Sequence, residues 1–428
     1  MIIGESFHLK SGGGITLINL FRDWPPDKIA VASSFIDASG KKYCNSFYKL
    51  GFDESKRPWP FYLIQPKTKS GTVDFTIKSS ATDSLGTVIR KKDPALKRFL
   101  LQMRHYLGIY PFIYRLRVSE KLEKWIDEFQ PEIIYTQLSS IQMVQFTIRL
   151  YENKKIPLAI HIMDDWPATL REPGLLFFYW KRILNRDFRR LLDYPGVHMS
   201  IGNAMSEAYH ERYKKEFLPF QNSLDLNKWE GIAKSDWKVH NVFTVMYAGR
   251  IGRGVISSVM DIAEAIEILG KKGYRILFKI RAGGFDLDNI ARFNSLRFTQ
   301  LHDFLGHDEM PGELSSADLL VIPLDFDEFK FTRLSMPTKV PEYLASGTPV
   351  LVYASGETAL CRYAGKHQWG YTVTKNNRSE LVKAIGLLYS DIKLRKKLGV
   401  TGKKVAGEYH DGDKIRRNFR ETLQKVIE

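Results

Sequence analysis

Short apolar runs, each followed by a segment with apolar residues at helical spacing, recur through both halves of this chain, and that alternation constrains the fold more than any other feature. In the first half the runs are Ile2-Ile3-Gly4, Ile29-Ala30-Val31-Ala32, Ile133-Ile134-Tyr135-Thr136, Leu158-Ala159-Ile160-His161-Ile162 and Val197-His198-Met199-Ser200-Ile201. In the second they are Val242 to Tyr247, Tyr274 to Ile280, Ala317 to Ile322 and Thr348 to Val352. After the first of these, Ile256, Val259, Met260, Ala263, Ile266 and Leu269 mark one helix face. Strands without alternating polarity are buried on both faces, which implies mostly parallel sheets covered by helices.

A chain of 428 residues exceeds what one core serves. The expectation is α/β, with two doubly wound Rossmann-like domains over residues 1–218 and 219–410, and a terminal helix over 411–428 carrying Ile415, Phe419, Leu423 and Ile427 at helical spacing. The linker is placed in the turn-rich Phe217 to Trp229 segment. In such sheets ligands bind beyond the C-terminal strand ends, so chemistry is sought there.

At 44% hydrophobic and 26% charged residues the chain reads as globular rather than disordered, and no apolar run reaches bilayer length. Cys44 and Cys361 form neither a metal spacing nor a disulfide framework, and the first residues lack a signal-peptide pattern; a cytoplasmic protein is expected. The formal charge of +16 calls for anionic partners. No nucleic-acid module signature is present, so no nucleic-acid partner is expected; phosphorylated small molecules or an anionic membrane face account for the charge. Leu96 to Arg117 and Leu175 to Leu192 interleave bulky apolar with basic residues, as interfacial helices and core helices with snorkelling cations both do. Lys97, Arg98, Arg104, Arg115 and Arg117 are the cations expected to face an inner membrane leaflet.

Four stretches carry candidate chemistry. Ser11 to Thr16 places Gly12, Gly13 and Gly14 between a strand and a helix, either an anion-accepting turn or a flexible loop. His161-Ile162-Met163-Asp164-Asp165-Trp166-Pro167 delivers an imidazole and two carboxylates to a strand end; Asp165 reads equally as a functional group and as a helix cap. Gly249-Arg250-Ile251-Gly252-Arg253-Gly254 fixes two cations at another strand end, suited to the charge of a departing diphosphate. Ser335-Met336-Pro337-Thr338-Lys339-Val340-Pro341-Glu342 joins a polar turn to a short helix, with Lys339 to face an anion and Glu342 to accept ribose hydroxyls, or else simply caps that helix. Asp325-Phe326-Asp327 has the Asp-x-Asp form of a metal site, but beside two cations it reads as a solvated loop, and no metal or other cofactor is expected.

The Ser335 to Val350 wording closely resembles the donor-site signature of glycosyltransferase family 4, retaining enzymes with the two-domain GT-B fold, and the likeness extends from the glycine loop through Pro349-Val350. The Ser200 to Tyr213 and Asn222-Ser223-Leu224-Asp225 stretches also resemble that family. The resemblance implies an N-terminal acceptor domain, a C-terminal nucleotide-sugar domain and a last helix that crosses back to the first. It further implies a metal-independent hexosyltransferase acting on a glycan or lipid-linked acceptor, in surface polysaccharide biosynthesis. It gives Gly13, Gly14, Gly249, Arg250, Arg253, Ser335, Met336, Pro337, Thr338, Lys339 and Glu342 to the donor, and a catalytic set of His161, Asp164, Arg250 and Arg253. Three departures stand out: Met163 precedes Asp164, Arg253 takes a lysine's place, and Leu334 stands where the family commonly has glutamate. An epimerase or phosphorylase of the same fold, and a non-catalytic partner subunit, remain alternatives.

Overall fold

The computed structural model describes residues 1–9, 11–55, 57, 59, 68–73, 75, 103, 106–108, 110–168, 174–283, 287–306 and 308–428. Ten of the 22 residues from Leu96 to Arg117, including Lys97, Arg98 and Arg104, lie outside the described residues. The chain divides into two compact units: one takes the described residues before Asn222 together with Asp413–Glu428, the other is Asn222–Gly412.

The first unit is built on β1 (Ile2–Gly4), β2 (Ala30–Ser33), β3 (Ser46–Lys49), β4 (Gly71–Thr72), β5 (Ile134–Gln137), β6 (Leu158–Ile162), β7 (Gly196–Ser200) and β8 (Leu218–Pro219), in the order β4-β3-β2-β1-β5-β6-β7-β8. Every pairing is parallel except β3 with β4. Order reverses between β1 and β5, and there the sheet presents a crevice at its C-terminal edge. The Gly412–Ile427 helix packs on this unit: Phe419 meets Phe21, Tyr135 and Phe220 edge-on, and Arg416 pairs with Asp23.

The second unit carries β9 (Phe243–Arg250), β10 (Ile276–Gly283), β11 (Thr299–His302), β12 (Leu319–Pro323), β13 (Val350–Tyr353) and β14 (Gly370–Val373), ordered β11-β10-β9-β12-β13-β14 and parallel throughout. This is the doubly wound order, with the switch point between β9 and β12. Both faces of β12 and β13 are buried, which is why those strands read as unbroken apolar runs. The expected linker is not solvated: Phe217, Phe220, Asn222, Ser223, Leu224 and Trp229 are all buried. Leu224 pairs with Asp411 in a parallel bridge and His410 Nδ1 lies 2.7 Å from the Asn222 carbonyl, so the first and last segments of this unit are tied together.

Candidate donor and acceptor sites

At its C-terminal end β9 parts from β12, whose pairing with it stops at Met246. The N–H and carbonyl of Ala248 therefore need other partners. The Tyr343 hydroxyl supplies both, accepting from the Ala248 N–H at 2.8 Å and donating to its carbonyl at 3.2 Å. One turn on, the Tyr247 hydroxyl donates to the Arg250 carbonyl at 2.7 Å. Two buried phenols thus fix the backbone that carries Gly249 and Arg250. Neither tyrosine was singled out from sequence; each is a polar-tipped residue inside an apolar run, and such a residue requires a hydrogen-bond partner.

Lys339 stretches back to this strand end. Its Nζ stands 3.9 Å from the centre of the Tyr247 ring, over Gly249, where a Cβ would collide with it. Gly249 has φ +152, a conformation that also favours glycine. Burial lowers the Lys339 pKa to about 7, with Glu342 opposing the shift, and burial raises the Glu342 pKa to about 7, with Lys339 opposing. An amine and a carboxylate that are both half-ionised near neutrality respond strongly to any charged ligand placed between them. Arg250 is exposed and has no carboxylate partner among the described residues. Arg253, by contrast, gives a two-pronged pair to Glu328, at 3.0 and 2.8 Å, and covers the Phe331 ring. That pair uses its Nε and one Nη2 hydrogen, and the rest of the half-exposed guanidinium is left to other acceptors.

The Ser335 to Thr338 turn offers fewer donors than its length suggests. The Ser335 N–H bonds to the Thr332 carbonyl and Pro337 has none, which leaves Met336 and Thr338. Leu334 is buried, so the missing glutamate is replaced by core packing. Asp325 corrects the expectation of a solvated loop: it is buried and accepts from the Ser258 N–H at 2.8 Å, capping the Ile256–Lys271 helix, whose own N-cap residue Val255 has no side-chain acceptor. Asp327 is exposed. Among the described residues no group of three or more acidic, histidine or cysteine side chains is placed to hold a metal ion.

In the first unit the glycine segment is not a left-handed turn. Ser11 caps the Gly12–Phe21 helix by accepting from the Gly14 N–H at 3.1 Å, and the glycines form its first turn without positive φ. Their smallness serves close approach: a Cβ on Gly13 would lie 2.5 Å from Glu5 Oε2 and 2.9 Å from Gln137 Oε1, and one on Gly14 would strike the His8 carbonyl. Glu5, Gln137 and Tyr135, unnoticed in the sequence, stand with Gly13 at the switch point. Their signal was position: Tyr135, like His161, lies within a run read as a strand, and Glu5 and Gln137 follow directly after such runs. Gln137 Nε2 donates to the Tyr135 hydroxyl at 3.2 Å, which lies 2.7 Å from His161 Nδ1. His161 is fully buried, its Nε2 has no hydrogen-bond partner among the described residues, and burial, opposed by the nearby Ser200 backbone, lowers its pKa to about 4, so the ring is neutral. Asp164 reaches solvent, while the surrounding protein raises its pKa. Asp165 has both carboxylate oxygens engaged within the protein. It is buried, and Arg212 grips it with two bonds of 2.7 and 2.9 Å while the Tyr209 hydroxyl adds a third at 3.1 Å.

A cavity of about 450 Å³ opens in the second unit at the other end of the sheet, where β9 and β12 begin, lined by Lys234, Lys238, His240 and Asp318 among others. Its buried polar groups are satisfied internally: Lys234 Nζ donates to the Ala317 carbonyl at 2.9 Å and Asp318 accepts from the Thr244 N–H at 2.9 Å.

Residues 242–391 match the family model described as glycosyl transferases group 1. The chain resembles Anabaena HepE solved in complex with UDP-glucose, with 13% identity, 99% of each chain covered and a TM-score of 0.62. It also resembles a glycosyltransferase from Rickettsia africae, with 10% identity, 100% of this chain and 98% of that one covered and a TM-score of 0.60. WaaG, a glycosyltransferase involved in lipopolysaccharide biosynthesis, matches at 11% identity over 98% of each chain with a TM-score of 0.58. The fold is GT-B. The match of residues 242–391 to that family model supports a glycosyltransferase, and the solved structures show the fold alone. A comparison with curated proteins finds no match.

Proposed function

We propose that this protein moves a sugar from a nucleotide-diphosphate sugar to a glycan or lipid-linked acceptor with retention of anomeric configuration and without a metal, as family 4 enzymes do, in surface polysaccharide biosynthesis. The observation that carries the proposal is the end of β9, where Lys339, coupled in charge to Glu342, stands over Gly249, the neighbour in sequence of the exposed Arg250, within the stretch that matches the family model. As the bond from the anomeric carbon to the diphosphate oxygen breaks, its electron pair goes to the phosphate. Arg250 and protonated Lys339 stabilise that charge, and the Met336 and Thr338 N–H groups add donors. Glu342 accepts the ribose hydroxyls. The acceptor oxygen bonds to the anomeric carbon from the face the phosphate leaves, and its proton passes to a phosphate oxygen. In the first unit Asp164 positions the transferred sugar, while the enclosed His161 acts through Tyr135 and Gln137 and holds the acceptor-side crevice in shape.

UDP-sugars are the first donors to try, since HepE binds UDP-glucose. The test is nucleotide release from a panel of uridine and guanosine diphosphate sugars, with and without acceptor oligosaccharides, followed by NMR of the product's anomeric proton. Acceptor-dependent release with retained configuration supports the reading. Release or isomerisation without an acceptor favours an epimerase, and donor binding without turnover favours a non-catalytic subunit, a reading that Leu334 in place of glutamate keeps open.

A further inference from the structure

Glu5 and Gln137 reach the switch point of the first unit from neighbouring strands, one just after β1 and the other at the end of β5, and each is held by half of its head group. Glu5 Oε1 accepts from the Ser6 N–H at 3.0 Å and lies 3.0 Å from His8 Nε2, which leaves Oε2 with no hydrogen-bond donor among the described residues. Gln137 is 8% exposed, and its Nε2 is engaged by the Tyr135 hydroxyl. The direction of that bond follows from the next link. The Ser200 backbone raises the His161 pKa against the effect of burial, so it presents its carbonyl to the ring, and the ring proton is assigned to Nε2. His161 Nδ1 then accepts from the Tyr135 hydroxyl at 2.7 Å, the hydroxyl accepts from Gln137 Nε2, and Gln137 Oε1 is the end of the amide left facing Gly13. The two remaining oxygens converge there: a Cβ on Gly13 would lie within 2.9 Å of both.

Two acceptor oxygens, one of them on a carboxylate, take hydroxyl protons and repel a phosphate. The start of the Gly12–Phe21 helix would by itself favour an anion, but its first turn has no acid of its own and the Glu5 carboxylate beside Gly13 already supplies that negative charge. Phe35, 43% exposed and edge-on to the His8 ring at 4.9 Å, adds an apolar wall next to the Glu5–His8 pair. An apolar wall with a few convergent acceptors fits a sugar ring, which carries C–H groups on its faces and hydroxyls around its rim. We infer that Glu5 Oε2 and Gln137 Oε1 receive adjacent hydroxyls of a neutral acceptor sugar, and that the glycine segment serves this acceptor rather than the donor diphosphate to which the family resemblance gives Gly13 and Gly14. That the sugar is an acceptor rests on the transfer reaction proposed above; that a neutral sugar binds at these oxygens does not.

Saturation-transfer NMR on the full-length protein, with excess UDP present to fill the diphosphate end, reads the binding of methyl glucoside, galactoside and mannoside beside the corresponding hexose 6-phosphates. At least one methyl hexoside should bind, and more tightly than its 6-phosphate. Glu5→Gln and Gln137→Met, both close to the parent in volume, should each weaken that hexoside by about tenfold or more. Unfolding temperature should stay near the parent's, and UDP affinity by calorimetry within about twofold of it. Where the nucleotide-release panel finds an acceptor, its KM should rise in both variants with little change in kcat. A parent that binds no methyl hexoside, tighter binding of the 6-phosphates, or hexoside affinity unchanged in both variants overturns the inference, and the first two outcomes are read without any variant. UDP binding that tightens in Glu5→Gln returns the glycine segment to the donor and overturns it as well. Hexoside binding lost in the variants, with no nucleotide release from the parent on any acceptor, upholds the sugar site and sinks the transfer reading alone.

Discussion

Gly249→Ala separates what the strand end does for folding from what it does for a ligand. The added methyl would collide with Lys339 Nζ and lie 3.0 Å from its Cε and 3.3 Å from the Tyr247 hydroxyl. The lysine tip is mobile and can swing away, at the cost of its position over the Tyr247 ring, worth about 0.5–2 kcal/mol. Holding alanine at φ +152 adds about 1–3 kcal/mol. A stability loss of roughly 1.5–5 kcal/mol follows by adding those two ranges, visible as a lowered unfolding temperature. A displaced Lys339 also forfeits a charge-assisted bond to phosphate, about 1.5–3 kcal/mol, or roughly 10- to 150-fold in nucleotide affinity. Titration calorimetry with UDP, at a temperature where the variant is folded, reads the second effect, and Lys339→Met should reproduce it without the backbone strain. Affinity within twofold of the parent in both variants would refute the placement of Lys339 on the diphosphate.

Three further outcomes are expected. Arg212→Ala leaves Asp165 buried with only the Tyr209 hydroxyl and should cost about 3–5 kcal/mol in denaturant unfolding, while leaving donor affinity near the parent's if Asp165 is purely structural. Between pH 7 and 10.5 the unfolded chain holds the Lys339 proton that the native state has released, so stability rises with pH; between pH 4.5 and 7 the native state holds a Glu342 proton that the unfolded chain has lost, so stability falls with pH. The apo protein should therefore show a stability minimum near pH 7 relative to the Lys339→Met, Glu342→Gln double variant, and identical pH profiles would contradict it. Turnover should survive EDTA, since side-chain cations carry the leaving-group charge; loss restored by magnesium or manganese would return Asp327 to consideration as a ligand.

The architecture was legible where burial was complete. β12 and β13 announce themselves because strands covered on both faces are apolar without interruption, whereas β10 is buried on alternate residues and carries Lys279 and Arg281. β3, β11 and β14 escaped because Ser46–Lys49, Thr299–His302 and Gly370–Val373 lie toward sheet margins and mix polar with apolar residues. The glycine segment was legible as a site of close approach but misread as a turn, since Ser11 makes an adequate helix cap that only the bond to Gly14 reveals. Long-range partners were the least legible: nothing near Asp165 in sequence points to Arg212, and nothing near Arg253 points to Glu328. Of Leu96 to Arg117, Tyr106 and Arg115 are exposed, as are Leu175, Phe178, Lys181 and Arg182 in the Leu175 to Leu192 segment.

The central claim is that a nucleotide sugar is held at the C-terminal end of β9, and the most direct measurement compares two ends of one sheet. UDP and UDP-sugar affinities are measured by calorimetry for Arg250→Ala and Lys339→Met at that end, and for Lys238→Ala and His240→Ala in the cavity at the other. Binding lost by tenfold or more in the first pair and kept within twofold in the second is the expected result. The reverse pattern, or parent affinity in all four, would contradict the claim.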